Sequence, residues 1–374
     1  MAGERGNKVL RLIDRCVGIP LVLGAGLMRH RRTPPCALDR VGVLCLGCIG
    51  DLVILSGPLA DLAAARPACH TTLFVSQANA EMACLLPVAA DIVVLPLKKP
   101  LRATALIRAQ GAFDAWIDSG QWPRIGAVLT LAARAGFSVG FSSPGQHRHH
   151  VYDAVVPHLS TRHELENFRA LFARLGVNGQ SLPSLTPAPD FSAKPIADTP
   201  FAARPFAVLH MFPGGVRAQL KRWPRERWAL LAQGLVGRGL DVFFSGAPAD
   251  KAQSAALAAE INDEHVRSLA GASLEATARA LKDAAVVVSV NTGIMHMAAA
   301  LNAPLVALSG PTSVDRWGPV ATPSRAVALT SARACAPCLH LGFEYACAQG
   351  GCMADITVEA VLGAVDALLA GAAQ

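Results

Sequence analysis

Asp51 is the first residue in the chain whose type and setting suggest catalysis. It follows Val41–Leu46 (VGVLCL), an apolar run that reads as a buried strand, and the turn Gly47-Cys48-Ile49-Gly50 carries the chain into a helix over about 52–65. A carboxylate at a helix start has two uses. It can satisfy free backbone N–H groups and sit well in the helix dipole, or it can take a proton from an acceptor hydroxyl as a general base. A second group of residues suits an anionic ligand. Pro213-Gly214-Gly215 follows the strand Phe206–His210, Lys221 precedes a helix opened by Pro224, and Asn291-Thr292-Gly293 follows the strand Ala285–Val290 with His296 one turn further on. Backbone N–H groups at Gly214, Gly215, Thr292 and Gly293, together with the Lys221 ammonium, could cradle a diphosphate. Asp250, in the loop after Asp241–Ser245, offers an acceptor for ribose hydroxyls. A third group is Cys335, Cys338, Cys347 and Cys352. Four thiolates in so short a window could close a structural tetrahedral site for Zn or Fe, and the alternative is a set of reduced, packed thiols.

These residues fall on loops that follow strands, and the strands recur in a regular pattern. Thr71–Val75, Asp91–Leu95, Ala115–Asp118 and Phe137–Phe141 are further strands, each separated by a helical stretch. Alternation of this kind builds βαβ units and a parallel sheet covered on both faces. A Pro-rich stretch from Leu182 to Pro205 interrupts it, and the alternation restarts at Phe206 and runs through Asp241–Ser245 and Leu305–Leu308. The reading is α/β: two doubly wound, Rossmann-like domains facing across a cleft. Residues 1–40 form an N-terminal extension, 41–190 the first domain, 191–205 a linker and 206–374 the second domain with the cysteine window and a last helix. Ligands of open α/β sheets bind outside the carboxyl ends of the strands, which is where Asp51 and the second group lie.

Composition sets outer limits. At 374 residues, two cores are expected, and 52% apolar residues exclude a disordered chain. The net charge of +7 is concentrated: residues 1–40 hold eight basic residues against three acidic ones, and the rest is close to neutral. Nucleic acid is therefore not expected as a partner. Between Arg15 and Arg29 the run Cys16–Met28 has no charge. A thirteen-residue helix reaches about 20 Å, too short to span a bilayer. An apolar patch with a basic rim suits an in-plane membrane segment, and it equally suits a helix packed on the protein's own surface. No cleavable secretory signal is recognisable, and a cytoplasmic chain is expected, in contact with the inner face of the membrane if the first of these readings holds.

The ordered motifs GD after the first strand, PGG with KRWP, SGAP-x-D, NTGIMHMAAAL and GPTSVDRWGP resemble glycosyltransferase family 9, the ADP-heptose:lipopolysaccharide heptosyltransferases. The resemblance runs from about Val41 to the end of the chain. It implies a GT-B fold, an acceptor domain followed by a nucleotide-sugar domain, and inverting transfer that needs no cofactor for catalysis. By position it makes Asp51 the catalytic base. Lys221 matches the lysine at the donor phosphates, Thr292, Gly293 and His296 the segment around the diphosphate, and Asp250 a carboxylate at the ribose. Many members carry Asp where this chain has Asn291, and Lys or Arg where it has Cys45. A similar four-cysteine iron finger occurs in related heptosyltransferases that modify proteins. The partners so implied are an ADP-sugar donor and a glycolipid acceptor of the lipopolysaccharide-core type. Two alternatives remain: a related transferase modifying protein or another glycan, and a nucleotide-sugar-binding protein without catalysis.

Overall fold

A computed structural model describes residues 12–27, 31–187, 204–215, 217–339, 347 and 351–372; the linker segment 188–203 lies outside the described residues. The chain divides into two compact units, Met1–Leu182 and Pro183–Gln374.

In the first unit six strands, β1 (Arg40–Cys45), β2 (His70–Ser76), β3 (Asp91–Leu95), β4 (Phe113–Asp118), β5 (Ala135–Ser142) and β6 (Ala154–Pro157), form one sheet in the order β3-β2-β1-β4-β5-β6. Every pairing is parallel. Parallel strands are buried on both faces, so β1 reads as the near-continuous apolar run VGVLC. Phe74, Phe113 and Trp116 meet above the sheet, with the Phe74 and Trp116 rings 4.8 Å apart.

The second unit repeats the plan with β7 (Phe206–His210), β8 (Asp241–Ser245), β9 (Val266–Ser268), β10 (Val286–Val290), β11 (Leu305–Leu308) and β12 (Ala326–Leu329), ordered β12-β11-β10-β7-β8-β9 and parallel throughout. The helix Arg225–Val236 follows Pro224 and buries Trp228, Leu231 and Leu235 as its spacing predicts. Gly239 has a φ of +82°, which only glycine adopts without strain. In both sheets the strand order reverses at the first strand: between β1 and β4, and between β7 and β10. These are the switch points at which open α/β sheets take ligands. The expected α/β class with two doubly wound sheets is what the chain adopts.

The N-terminal segment is helical, with a wide π turn over Asp14–Gly18 continuing into Ile19–Leu27. Val22 is fully buried against Ala127, Val151 and Tyr152. Both oxygens of the Asp14 carboxylate are used: one accepts from the Arg124 backbone N–H at 2.7 Å, and the other pairs with the Arg124 guanidinium. The helix comes so close at Gly26 that a Cβ there would stand 2.6 Å from that of His150. One face is therefore packed on the unit itself. The opposite face exposes Leu12, Ile13, Val17, Leu21, Leu23 and Leu27. No helix among the described residues is long and apolar enough to cross a membrane.

Candidate functional site

Asp51 lies at the switch point of the first sheet. The sequence suggests a helix beginning near residue 52, whereas the helix starts at Ile49 and Asp51 is its third residue. Its Oδ2 accepts a hydrogen bond from the Cys48 backbone N–H at 2.8 Å, and the residue is 7% exposed. The tight turn requires glycine at position 47, because a Cβ there would fall 2.2 Å from Asp51 Oδ2. The neighbouring strand ends close around this turn. Ser119, just past β4, donates from both its N–H and its hydroxyl to the Leu44 carbonyl. Asn79, past β2, donates to the Cys45 carbonyl at 3.0 Å. Cys45 is buried, and burial, followed by the nearby Asp51 carboxylate, pushes its thiol up to about 12. At neutral pH this position is therefore uncharged.

Beneath β4 a buried network fixes the same edge. Arg148 donates to Asp118 Oδ2 at 2.6 Å and Tyr152 donates to the same oxygen at 2.7 Å. Burial acts to lower the Arg148 pKa, but Asp118 outweighs it and the guanidinium is held more firmly charged than usual. Neither Ser119 nor Asn79 stood out in the sequence. Both are common polar residues, and only the sheet order brings them beside Asp51.

In the second unit Lys221 closes a short 3-10 turn, Ala218–Lys221, in the connection after β7. Its Nζ donates to the Gly214 carbonyl at 2.7 Å and lies 3.5 Å from the Asn291 carbonyl. The structure thus brings Lys221, the Gly214-Gly215 loop and the Asn291-Thr292-Gly293 loop together at the switch point between β7 and β10. Thr292 caps the helix Gly293–Ala300, its hydroxyl accepting from the Ile294 N–H at 3.1 Å. That leaves further first-turn N–H groups without partners in the helix, as anion recognition requires. His296 is buried in the same helix.

Two further residues of the expected site make hydrogen bonds of their own. Asn291 turns its side chain away from the loop, with Nδ2 donating to the Trp317 carbonyl at 2.9 Å. The Asp250 carboxylate accepts from the Ala247 N–H at 2.9 Å, bracing its own turn as Asp51 does. A cavity of about 300 Å³ opens beside Met211, Phe212, Arg222, Trp223 and Gln253, at the carboxyl ends of β7 and β8. A larger one, about 390 Å³, lies at the edge strand β6 by Pro157 and Leu159, away from the switch point and from the polar groups just described, and is the weaker candidate for chemistry.

Among the four cysteines, Cys335 is exposed, Cys347 half-buried, and Cys338 and Cys352 buried. Among the described residues no group of three or more His, Cys, Asp or Glu side chains is arranged to hold a metal ion. Of the two readings of the cysteine window, a Zn or Fe site is not shown among the described residues. Cys338 instead packs with Leu220 and Leu339, and Cys347 lies against them.

Comparison with known proteins places these features. The profile of glycosyltransferase family 9 (heptosyltransferase) matches residues 104–348. Lipopolysaccharide heptosyltransferase 2 of Escherichia coli K12 is 33% identical over 168 residues, 43% of this chain and 47% of that protein. The chain spans about half the length of the curated relatives it matches. The structure of the E. coli ADP-heptose LPS heptosyltransferase II superposes with a TM-score of 0.71 at 23% identity, over 90% of this chain and 100% of that one. The iron-containing dodecameric glycosyltransferase TibC of enterotoxigenic E. coli gives a TM-score of 0.55 at 16% identity, over 91% and 77% of the two chains. At these identities the two superpositions speak to the fold.

Proposed function

The chain belongs to glycosyltransferase family 9, and from that premise we propose that it moves heptose from an ADP-heptose donor to a lipopolysaccharide inner-core acceptor, with inversion at the anomeric carbon. The observation that carries this reading is the meeting of Lys221 with the Gly214 and Asn291 loops at the switch point of the second sheet. A cation among backbone carbonyls, next to the capped start of the helix Gly293–Ala300, suits a diphosphate. As the donor's glycosidic bond breaks, negative charge develops on the departing ADP, and Lys221 with the N–H groups of Gly293 and its neighbours stabilises it where it forms. Gly214 and Gly215 keep side chains out of that space. Asp250 holds the ribose through the oxygen not engaged by Ala247, and His296 supports the first turn from within the helix.

In the first unit, the acceptor domain, Asp51 is the base. The Cys48 N–H fixes its rotamer through Oδ2, and Oδ1 takes the proton from the attacking hydroxyl. After product release Asp51 returns that proton to solvent, and in this reading the step uses no metal or redox cofactor. In this reading the enzyme works at the inner face of the membrane, where a glycolipid acceptor resides, and the exposed apolar face of the helix Ile19–Leu27 supports it. Mass spectrometry of candidate acceptors incubated with the protein and ADP-heptose tests the reading. A mass increase of one heptosyl residue on a lipopolysaccharide core is expected. Transfer only to polypeptide, or binding of ADP with no transfer, would replace it.

A further inference from the structure

The segment after β12 crosses the carboxyl edge of the second sheet. It starts at Leu329, on the edge strand. Arg333 and Ser331 tie it down to Asp355, with Arg333 Nε and Ser331 Oγ each 2.6 Å from Asp355 Oδ2. Further along, the Cys338 and Leu339 N–H groups both donate to the Pro311 carbonyl, at 3.0 and 2.8 Å, and Leu339 pairs with Thr312 in a parallel bridge. Pro311 and Thr312 belong to the loop after β11. The side chains of Cys338 and Leu339 then bury Leu220, which belongs to the connection after β7. In the sheet order β12-β11-β10-β7, residues 331–339 thus run as a strap from β12 past the end of β11 to the turn that carries Lys221. The Asn291–Gly293 loop, after β10, lies between those two anchor points.

Leu220 immediately precedes Lys221, and the turn they share is a single 3-10 turn of four residues entered through Arg217 at a φ of +54°. So short a turn has little stability of its own, and packing decides where it sits. The buried hydrophobic partners of Leu220 are Cys338 and Leu339, with Cys347 at the margin. We infer that the strap 331–339 is a working part of the nucleoside-diphosphate site, with Leu339 and Cys338 as positioning residues that hold the Lys221 turn against the Gly214 and Asn291 loops. Cys338, one of the two buried thiols of the cysteine window, then serves as a packing group that joins the end of β11 to the phosphate lysine. The inference rests on the reading of Lys221 as a phosphate ligand.

ADP titrated calorimetrically into the full chain tests it, alongside donor and acceptor kinetics. Leu339→Ala is expected to weaken ADP binding about tenfold, to raise the donor KM, and to lower kcat as well, because the displaced Lys221 also meets the charge that grows on the departing ADP. Leu339→Met keeps the volume and is expected to restore affinity to within about twofold of the parent. Val365→Ala, a buried position in the main core of the same unit, serves as the control for general loosening. Unchanged ADP affinity in Leu339→Ala, or an equal loss in Val365→Ala, overturns the strap's role. Lys221→Ala in the same titration separates the two ideas. If it leaves ADP affinity unchanged, the phosphate assignment fails; if it weakens binding while Leu339→Ala does not, the strap alone fails.

Discussion

The carboxamide of Asn291 donates to the Trp317 carbonyl across 2.9 Å, a bond that requires an N–H donor at this position. A carboxylate cannot donate to a carbonyl. Asn291 is 8% exposed, so an aspartate in its place would face the Trp317 carbonyl as a buried charge without that hydrogen bond. Asn291→Asp is therefore expected to destabilise the second unit by about 2 kcal/mol and lower its melting temperature by about 5 °C. Asn291→Ala removes the donor without adding charge and should cost less. Differential scanning calorimetry at neutral pH gives the order, and equal melting temperatures for Asn291→Asp and the parent would refute the account.

Substitution can separate the proposed base role of Asp51 from its hydrogen bond to the Cys48 N–H. Asparagine keeps an oxygen to accept from the Cys48 N–H, so Asp51→Asn should fold with parental stability yet lose about a hundredfold or more in turnover, the usual reach of a general base. Gly47→Ala acts from the other direction: the added methyl would overlap Asp51 Oδ2, and both stability and turnover should fall. Transfer assays paired with thermal melts check this, and an Asp51→Asn enzyme with parental turnover would remove Asp51 from the chemistry.

Long, apolar interior strands were legible from sequence alone. Phe206–His210, Asp241–Ser245 and Leu305–Leu308 form over the predicted residues, because burial on both faces leaves an uninterrupted apolar run; Asp91–Leu95 also forms as predicted, although it is an edge strand with most of its residues outside the core. The edge strands β6, β9 and β12 escaped notice. They are three or four residues long, and Pro157 in β6 and Arg267 in β9 break the pattern. At the candidate site, the loops that meet at Lys221 could be named because each follows an apolar strand, β7 or β10. The inward turn of Asn291 and the contact of Leu339 with Leu220 could not, since each joins residues 26 or more positions apart through the folded sheet. The cysteine spacing allowed a metal knuckle or packed thiols; Cys338 packs beside Leu220 and Leu339, and Cys352 lies within electrostatic reach of Cys338 and Cys335.

His210 ends β7 with its ring buried and Nδ1 3.0 Å from Ser245 Oγ. Burial lowers its pKa from 6.5 to about 4. The folded state therefore refuses a proton that the unfolded chain accepts below about pH 6.5, so stability is full above that pH and declines as the pH falls toward 4. The loss is on the order of 3 kcal/mol by about pH 4. His210→Asn should flatten this dependence. Urea midpoints measured from about pH 7 down to about pH 4.5 provide the check; parallel slopes for the variant and the parent would assign the acid sensitivity to other groups.

The N-terminal helix has an apolar face that the rest of the first unit leaves uncovered. Leu27 is 90% exposed, and Leu12, Val17 and Leu21 are each at least half exposed, while the opposite side is fixed by Val22, Gly26 and the Asp14–Arg124 pair. Exposed Arg15 and Arg31 flank it. Apolar burial and attraction to anionic headgroups then act together, each buried leucine contributing about 2 kcal/mol and each nearby arginine about 1 kcal/mol. Leu21→Glu with Leu27→Glu is expected to reduce partitioning onto vesicles of phosphatidylcholine and phosphatidylglycerol by about tenfold or more, with no loss of thermal stability because both side chains lie outside the packed face. Arg15→Gln should weaken binding only when the vesicles are anionic. Cosedimentation across the two lipid compositions measures both effects, and a doubly substituted protein that still partitions like the parent would show that this face does not meet the membrane.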